Sequence, residues 1–156
     1  MRNHILAAAV ALAALPGFAN ATEVFDNWTV ENANGRCTAW TKPVDVDGET
    51  REAAYLSIVN VPGEGVRNSV AFVYGKTGAG KAQASATVDG KTFELLTYDT
   101  AAFAASGSPE AELISAMRRG SDAAVNWTEA DGSISKDTYS LKGFASAKSK
   151  IEVDCR

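Results

Sequence analysis

The stretch AQASATVDGKTFELLT, residues 82–97, alternates small or apolar residues with polar ones on both sides of Asp89-Gly90. A period of two is that of a strand with one buried face. Asp-Gly readily takes the positive φ angles of a two-residue hairpin turn. The segment therefore reads as two antiparallel strands, 82–88 and 92–97. The same punctuation recurs at Asn34-Gly35, Asp47-Gly48 and Asp131-Gly132. Around it lie further short β-rich runs at 25–31, 37–41, 54–61, 66–74, 123–129 and 133–141. The run at 25–31 sets Trp28 and Val30 on one face.

Two segments break this pattern. Ser108-Pro109-Glu110 has the form of a helix start, with Ser108 as cap, Pro in the first turn and an acid at the positive end of the dipole. Leu113, Ile114 and Met117 follow as an apolar stripe, and Arg118-Arg119-Gly120 supplies basic residues and a left-handed cap to end it. The second segment, from Phe144 to about Val153, has Phe144, Ala147 and Ile151 at helical spacing. The expected fold is mainly β, an antiparallel β-sandwich or half-open barrel with two short α-helices, in one domain.

Residues 1–21 resemble a secretory signal. Arg2 gives a positive start, Ile5 to Leu15 is an unbroken apolar run, and Ala19-Asn20-Ala21 provides the small residues of a cleavage site. The predicted mature domain is then 22–156, with 14 basic against 19 acidic residues and no histidine, since the one histidine is His4. Without histidine, a Ser-His-Asp or Cys-His centre, a histidine-ligated zinc and an imidazole pH switch are excluded. The acidic balance, with no basic block longer than Arg118-Arg119, argues against nucleic acid. The 11-residue run is short for a membrane span, and no later segment approaches the roughly 20 apolar residues a spanning helix needs. Cys37 and Cys155, the two cysteines of an exported chain, are expected to form a disulfide; neither sits in a Cys-x-x-Cys pair.

Several strings imitate chemistry. Gly75 to Lys81 nearly spells a phosphate-binding loop, but Ala82 stands where Ser or Thr must hold magnesium, and a strand pattern follows instead of a helix. It reads as a glycine-rich hairpin loop. Ser133-Ile134-Ser135-Lys136 and Lys76-Thr77-Gly78 match motifs of penicillin-interacting enzymes in reversed order, on a chain too short for that fold. A calcium loop starting at Asp45 would put Thr50 and Leu56 where Gly and Glu are required, so Asp45 and Asp47 read as solvated acids at a hairpin tip. Asn27 and Asn126 begin Asn-Trp-Thr strings that fit glycosylation formally. No residue is assigned a catalytic, cofactor or metal role. Trp28, Trp40, Trp127, Phe93 and Tyr139 are candidates for either core or a binding surface, with core the expectation for each.

Toward the C-terminus, Ala116-Met117-Arg118-Arg119-Gly120 and then Lys136-Asp137-Thr138-Tyr139-Ser140-Leu141-Lys142-Gly143-Phe144-Ala145-Ser146-Ala147 resemble the invasion-associated locus B family of alphaproteobacterial envelope proteins. The Ser-Leu-x-Gly-Phe-x-x-Ala signature carries most of the likeness. The Trp28-Thr29-Val30 strand with Cys37 after it, and the Val88 to Leu95 hairpin, add to it. The resemblance implies a periplasmic, envelope-associated or secreted protein, linked in some pathogens to entry into erythrocytes, with no catalytic residues to carry over. Some members have additional cysteines that this chain lacks. The resulting expectation is a non-enzymatic binding or accessory protein of the envelope, engaging a protein or glycan at the envelope or host surface. A small hydrolase with paired carboxylates and an envelope-stability protein without a ligand are the alternatives. A binding protein should show a contiguous apolar and aromatic patch, whereas a glycosidase-like enzyme needs two acids about 5 to 10 Å apart in a cleft.

Overall fold

The computed structural model describes residues 21–47, 51–75 and 82–156. Its strands are β1 (Ala21–Phe25), β2 (Trp28–Ala33), β3 (Arg36–Thr41), β4 (Asp45–Asp47), β5 (Tyr55–Val61), β6 (Val66–Val73), β7 (Gln83–Val88), β8 (Lys91–Tyr98), β9 (Ala101–Phe103), β10 (Asp122–Thr128) and β11 (Ile134–Ser140). The helices are α1 (Ser108–Arg119) and α2 (Phe144–Asp154). The strands form one antiparallel sheet in the order β1-β2-β3-β5-β6-β9-β8-β7-β10-β11-β4. The mainly β expectation holds, realised as a half-open barrel.

The two-residue turns do what their φ angles require. Asn34-Gly35 adopts 53° and 75°, and Asp89-Gly90 adopts 47° and 83°. Side-chain alternation then sorts residues to the two faces. Val30, Ala39, Ile58, Val70 and Phe72 from one half of the sheet meet Ala84, Ala86, Phe93, Leu95, Trp127 and Tyr139 from the other in a single core. Leu113, Ile114 and Met117 of α1 and Phe144, Ala147 and Ile151 of α2 complete it. α2 lies against β1, β2, β3 and β5, and α1 against β6 and β7.

The family-like signature builds a corner. Trp28 Nε1 donates to Ser140 O at 3.0 Å, its ring lies 4.9 Å from that of Phe144, and Asn27 N donates to Lys142 O. Gly143 turns the chain from β11 into α2 at φ 93°, and a Cβ there would overlap the carbonyl oxygen of Phe25. Cys155, just past α2, is bonded to Cys37 on β3, with Cα atoms 5.9 Å apart and a sequence separation of 118. The helix is thus fixed to the sheet at both ends.

Several local expectations are corrected. The run 25–31 is not one strand: Asp26 takes φ 51° and turns β1 back along β2, with Phe25 opposite Trp28. Asp45 and Asp47 are not at a hairpin tip but on β4, which pairs with β11 on the far side of the sheet. Gly48 and Glu49 lie outside the described residues. The loop from Gly75 does not close a hairpin, because β6 pairs with β9 while β7 pairs with β8 and β10; residues 76–81 lie outside the described residues. Ser108 is the first helical residue and Gly107 takes the cap position. Gly120 is extended, not left-handed. Its reason for being glycine is space, since a Cβ would lie 2.6 Å from Val88 Cγ1. β9 carries no periodic signal because its three residues are Ala, Ala and Phe. The signal-like segment lies outside the described residues except for Ala21.

Two outcomes test this frame. Cys37→Ser/Cys155→Ser, or reduction, should lower stability to denaturant by up to about 4 to 5 kcal/mol, the chain-entropy value for a loop of this size. Gly143→Ala should cost about 1 to 3 kcal/mol from backbone strain, with the Phe25 clash added, seen as a lower thermal midpoint.

Candidate functional site

A sheet packed on one face normally turns a polar face to water. In this chain the outer face of β3, β5, β6 and β9 carries many apolar side chains among its polar ones. Cross-strand partners place Trp40 beside Ser57, Thr38 beside Val59, Tyr55 beside Val73 and Ala71 beside Phe103 on that face. The helices lie on the opposite side. Ser57 and Val59 are nonetheless only 3% and 7% exposed, because the flanking side chains wall them in. The result is a trough of two hollows that share Arg36 and Tyr55. One, of about 310 Å³, is lined by Ser57, Val59, Ala71, Val73, Ala101 and Phe103 among others. The other, of about 380 Å³, is formed by Trp40 with Glu31, Arg36, Thr38 and Tyr55. Both volumes fall within the range of ligand sites. Next to Phe103 and Ala101, Leu96 and Tyr98 of β8 extend the apolar surface, 64% and 77% exposed.

The aromatic candidates divide accordingly. Trp28, Trp127, Tyr139 and Phe93 are core, as expected, whereas Trp40 is half-buried in the trough. The remaining trough residues were not singled out from the sequence, although β5 carries a signal. That signal is partial: Leu56-Ser57-Ile58-Val59-Asn60 is buried at every position, but Ser57 and Asn60 interrupt the continuous apolar run that marks a strand covered on both faces. Among the described residues no helix covers the outer face of this one.

A second chemical cluster lies inside the barrel. Asp137, on the inward row of β11 between Ser135 and Tyr139, has 0% exposure. Arg51 Nη2 donates to both of its oxygens, at 2.6 and 2.5 Å, and Trp127 Nε1 donates to Oδ2 at 3.2 Å. Arg51 Nε also donates to Tyr74 O at 2.7 Å, its guanidinium lies 4.3 Å from the Tyr74 ring centre, and that ring packs on Trp127. The Tyr74 hydroxyl donates to Glu129. Burial pushes the Asp137 carboxyl above its usual range, opposed first by the Arg51 charge and then by the Arg51 and Trp127 hydrogen bonds. Tyr139, beside this pair, has a buried hydroxyl without a hydrogen-bond partner, and burial raises its phenol above the ordinary value. Arg51, Asp137 and Trp127 are buried and satisfy one another, and the pair joins the two halves of the sheet. A charge at an inward position of the β11 alternation was the sequence signal for it.

The other candidate strings are dispersed. Ser135 is buried and Lys136 exposed on opposite faces of β11, so no Ser–Lys pair forms there, and Ser133 donates to Asp131 in the turn. Asn27 is in an exposed turn bonded by Ser140 Oγ, and Asn126 is half-buried on β10. Among the described residues no group of three or more His, Cys, Asp or Glu is placed to hold a metal ion. No helix among them is long and apolar enough to cross a membrane.

The chain belongs to the invasion associated locus B (IalB) protein family, whose model matches residues 28–152. Comparison with curated proteins and with solved structures finds no match to either.

The buried pair gives a sharp test. Asp137→Asn leaves Arg51 charged and poorly partnered, and should destabilise the fold by about 3 to 5 kcal/mol in denaturant titrations. Arg51→Met/Asp137→Leu should cost far less, because it removes both charges together.

Proposed function

We propose that the protein is exported through its N-terminal segment and acts in the cell envelope as a non-enzymatic binding protein, with the trough as its docking face. Membership of the family, the signal-like 1–21 and the Cys37–Cys155 disulfide support export. The observation that carries the binding reading is a contiguous apolar and aromatic surface on a sheet face that no helix covers among the described residues.

The lining of the Val59 hollow selects the kind of partner. A glycan brings many hydroxyls, each of which loses water on burial and needs a protein partner. Val59, Ala71, Val73 and Ala101 offer none, and the hydroxyls that line this hollow are those of Tyr55, Ser57 and Ser69. Apolar side chains of a protein fill such hollows at no comparable cost. Arg36, Glu31 and Glu64 at the margins then supply a polar rim. The geometry favours binding over hydrolysis, since Glu31 and Glu64 line different hollows and Asp137 is sealed in the core.

The test is site-specific cross-linking in cells that make the full chain. A photo-reactive residue at Tyr98 should give a protease-sensitive adduct with a polypeptide, largely lost when Leu96→Glu is added. The same residue at Ile134, also exposed but on β11, should not give that adduct. No adduct at Tyr98, or the same adduct from both positions, would overturn the trough as a docking face. A protease-resistant, periodate-sensitive adduct would replace the protein partner with a glycan.

A further inference from the structure

We propose that the groove between α1 and α2 binds a phosphate or carboxylate group borne by a hydroxyl-rich carrier, as in an acidic sugar. This site is separate from the trough. The groove, about 420 Å³, is lined by Asn68 of β6, Ile114, Ser115, Arg118 and Arg119 of α1, and Lys148 of α2, among others, and no carboxylate is among its lining residues. On a chain of net charge −4 this is a local reversal of sign.

The cations are unequally satisfied. Lys148, nearly buried, is paired with Glu152 one turn on. Arg119 Nη1 donates to the neutral Ser115 Oγ at 2.6 Å, and among the described residues no carboxylate pairs with its charge. Arg118 makes no hydrogen bond or ion pair among the described residues. Basic residues in the last turn do complement a helix dipole, but a helix end carries only about half a negative charge, and two guanidiniums exceed it. Arginine forks match the planar oxygens of phosphate and carboxylate.

The second observation concerns a hydroxyl. Asn68 Oδ1 is a buried acceptor without a donor. The residue is held at φ 53° by its own N–H on Asn60 Oδ1, and Asn60 in turn donates to Ile151 O of α2. An unsatisfied buried acceptor on a built framework calls for a donor, and a sugar hydroxyl adjoining the anionic group supplies one. Anion at the arginine end and hydroxyl at the asparagine end together define the ligand class.

Calorimetric titration of the full chain with glucose 6-phosphate, inorganic phosphate and glucose tests this. Glucose 6-phosphate should bind more tightly than inorganic phosphate, with affinity falling as salt rises, and glucose should not bind. Arg118→Gln/Arg119→Gln should weaken binding by about tenfold or more, the loss of charge-assisted bonds. Asn68→Gly keeps the positive φ and the backbone bond, and should abolish the advantage over inorganic phosphate. Co-sedimentation with phosphatidylcholine vesicles, with and without phosphatidylglycerol, separates a free from a membrane-borne ligand. Binding only to the anionic vesicles, lost in the double arginine variant, assigns the anion to a lipid headgroup. No binding of any anionic probe at millimolar concentration, or equal binding by a double variant whose thermal midpoint is unchanged, overturns the site.

Discussion

A charge taken out of water must be met by another, and Asp137 sets that condition at the centre of this molecule. Its carboxylate is on β11, while the guanidinium that meets it comes from Arg51, ahead of β5 in the opposite half of the sheet. Tyr74, at the end of β6, accepts from the same guanidinium through its carbonyl and offers it a ring face. Trp127 of β10 completes the shell. A pair of this kind adds little net stability compared with apolar residues of the same volume, but a sheet whose two halves met in the wrong arrangement would leave both ions unpaired at high cost. The pair thus favours the arrangement that brings β5 and β6 to β10 and β11.

The parts of the architecture legible in the sequence are those whose signals are local. Asp89-Gly90 and Asn34-Gly35 announce their hairpins because the turn needs positive φ at both residues and few residue types accept it. α1 was legible from its apolar stripe and first-turn proline. What could not be read was pairing between distant segments. Asp45 and Asp47 resemble a loop tip in sequence because the strand they join, β11, lies about ninety positions away. Gly75 was mistaken for a hairpin loop for the same reason, since local pattern does not say that β9 intervenes beside β6. Gly120 shows a subtler failure: the residue was right for a helix end, but the constraint is the side chain of Val88.

The two surfaces proposed for binding differ in how far sequence reveals them. Arg118 and Arg119 stand out as the longest basic block, yet only the fold brings Lys148 and Asn68 to the same groove. The trough has no motif. It arises because β5, β6 and β9 carry small and β-branched residues on their outer rows, and only sheet order shows that these rows are adjacent. Trp40 illustrates the limit, because its neighbours in the chain look like those of a core tryptophan. Chemistry confined to contiguous residues can be read from a string; a surface assembled from four strands requires the register.

The corner at Trp28 and Gly143 has a kinetic consequence. Trp28 reaches Ser140 across 112 residues and packs on Phe144, and Cys37 joins Cys155 across 118. Contacts this distant are won only after the entropy of closing very long loops has been lost, and β-rich chains dominated by them fold on the millisecond-to-second scale. The hairpins at Asn34-Gly35 and Asp89-Gly90 form locally and early, whereas the seam that unites β2, β11 and α2 is among the last features to appear. Until then the inner faces of both sheet halves remain wetted, and the interval of greatest vulnerability to aggregation and proteolysis is the wait for α2 to dock.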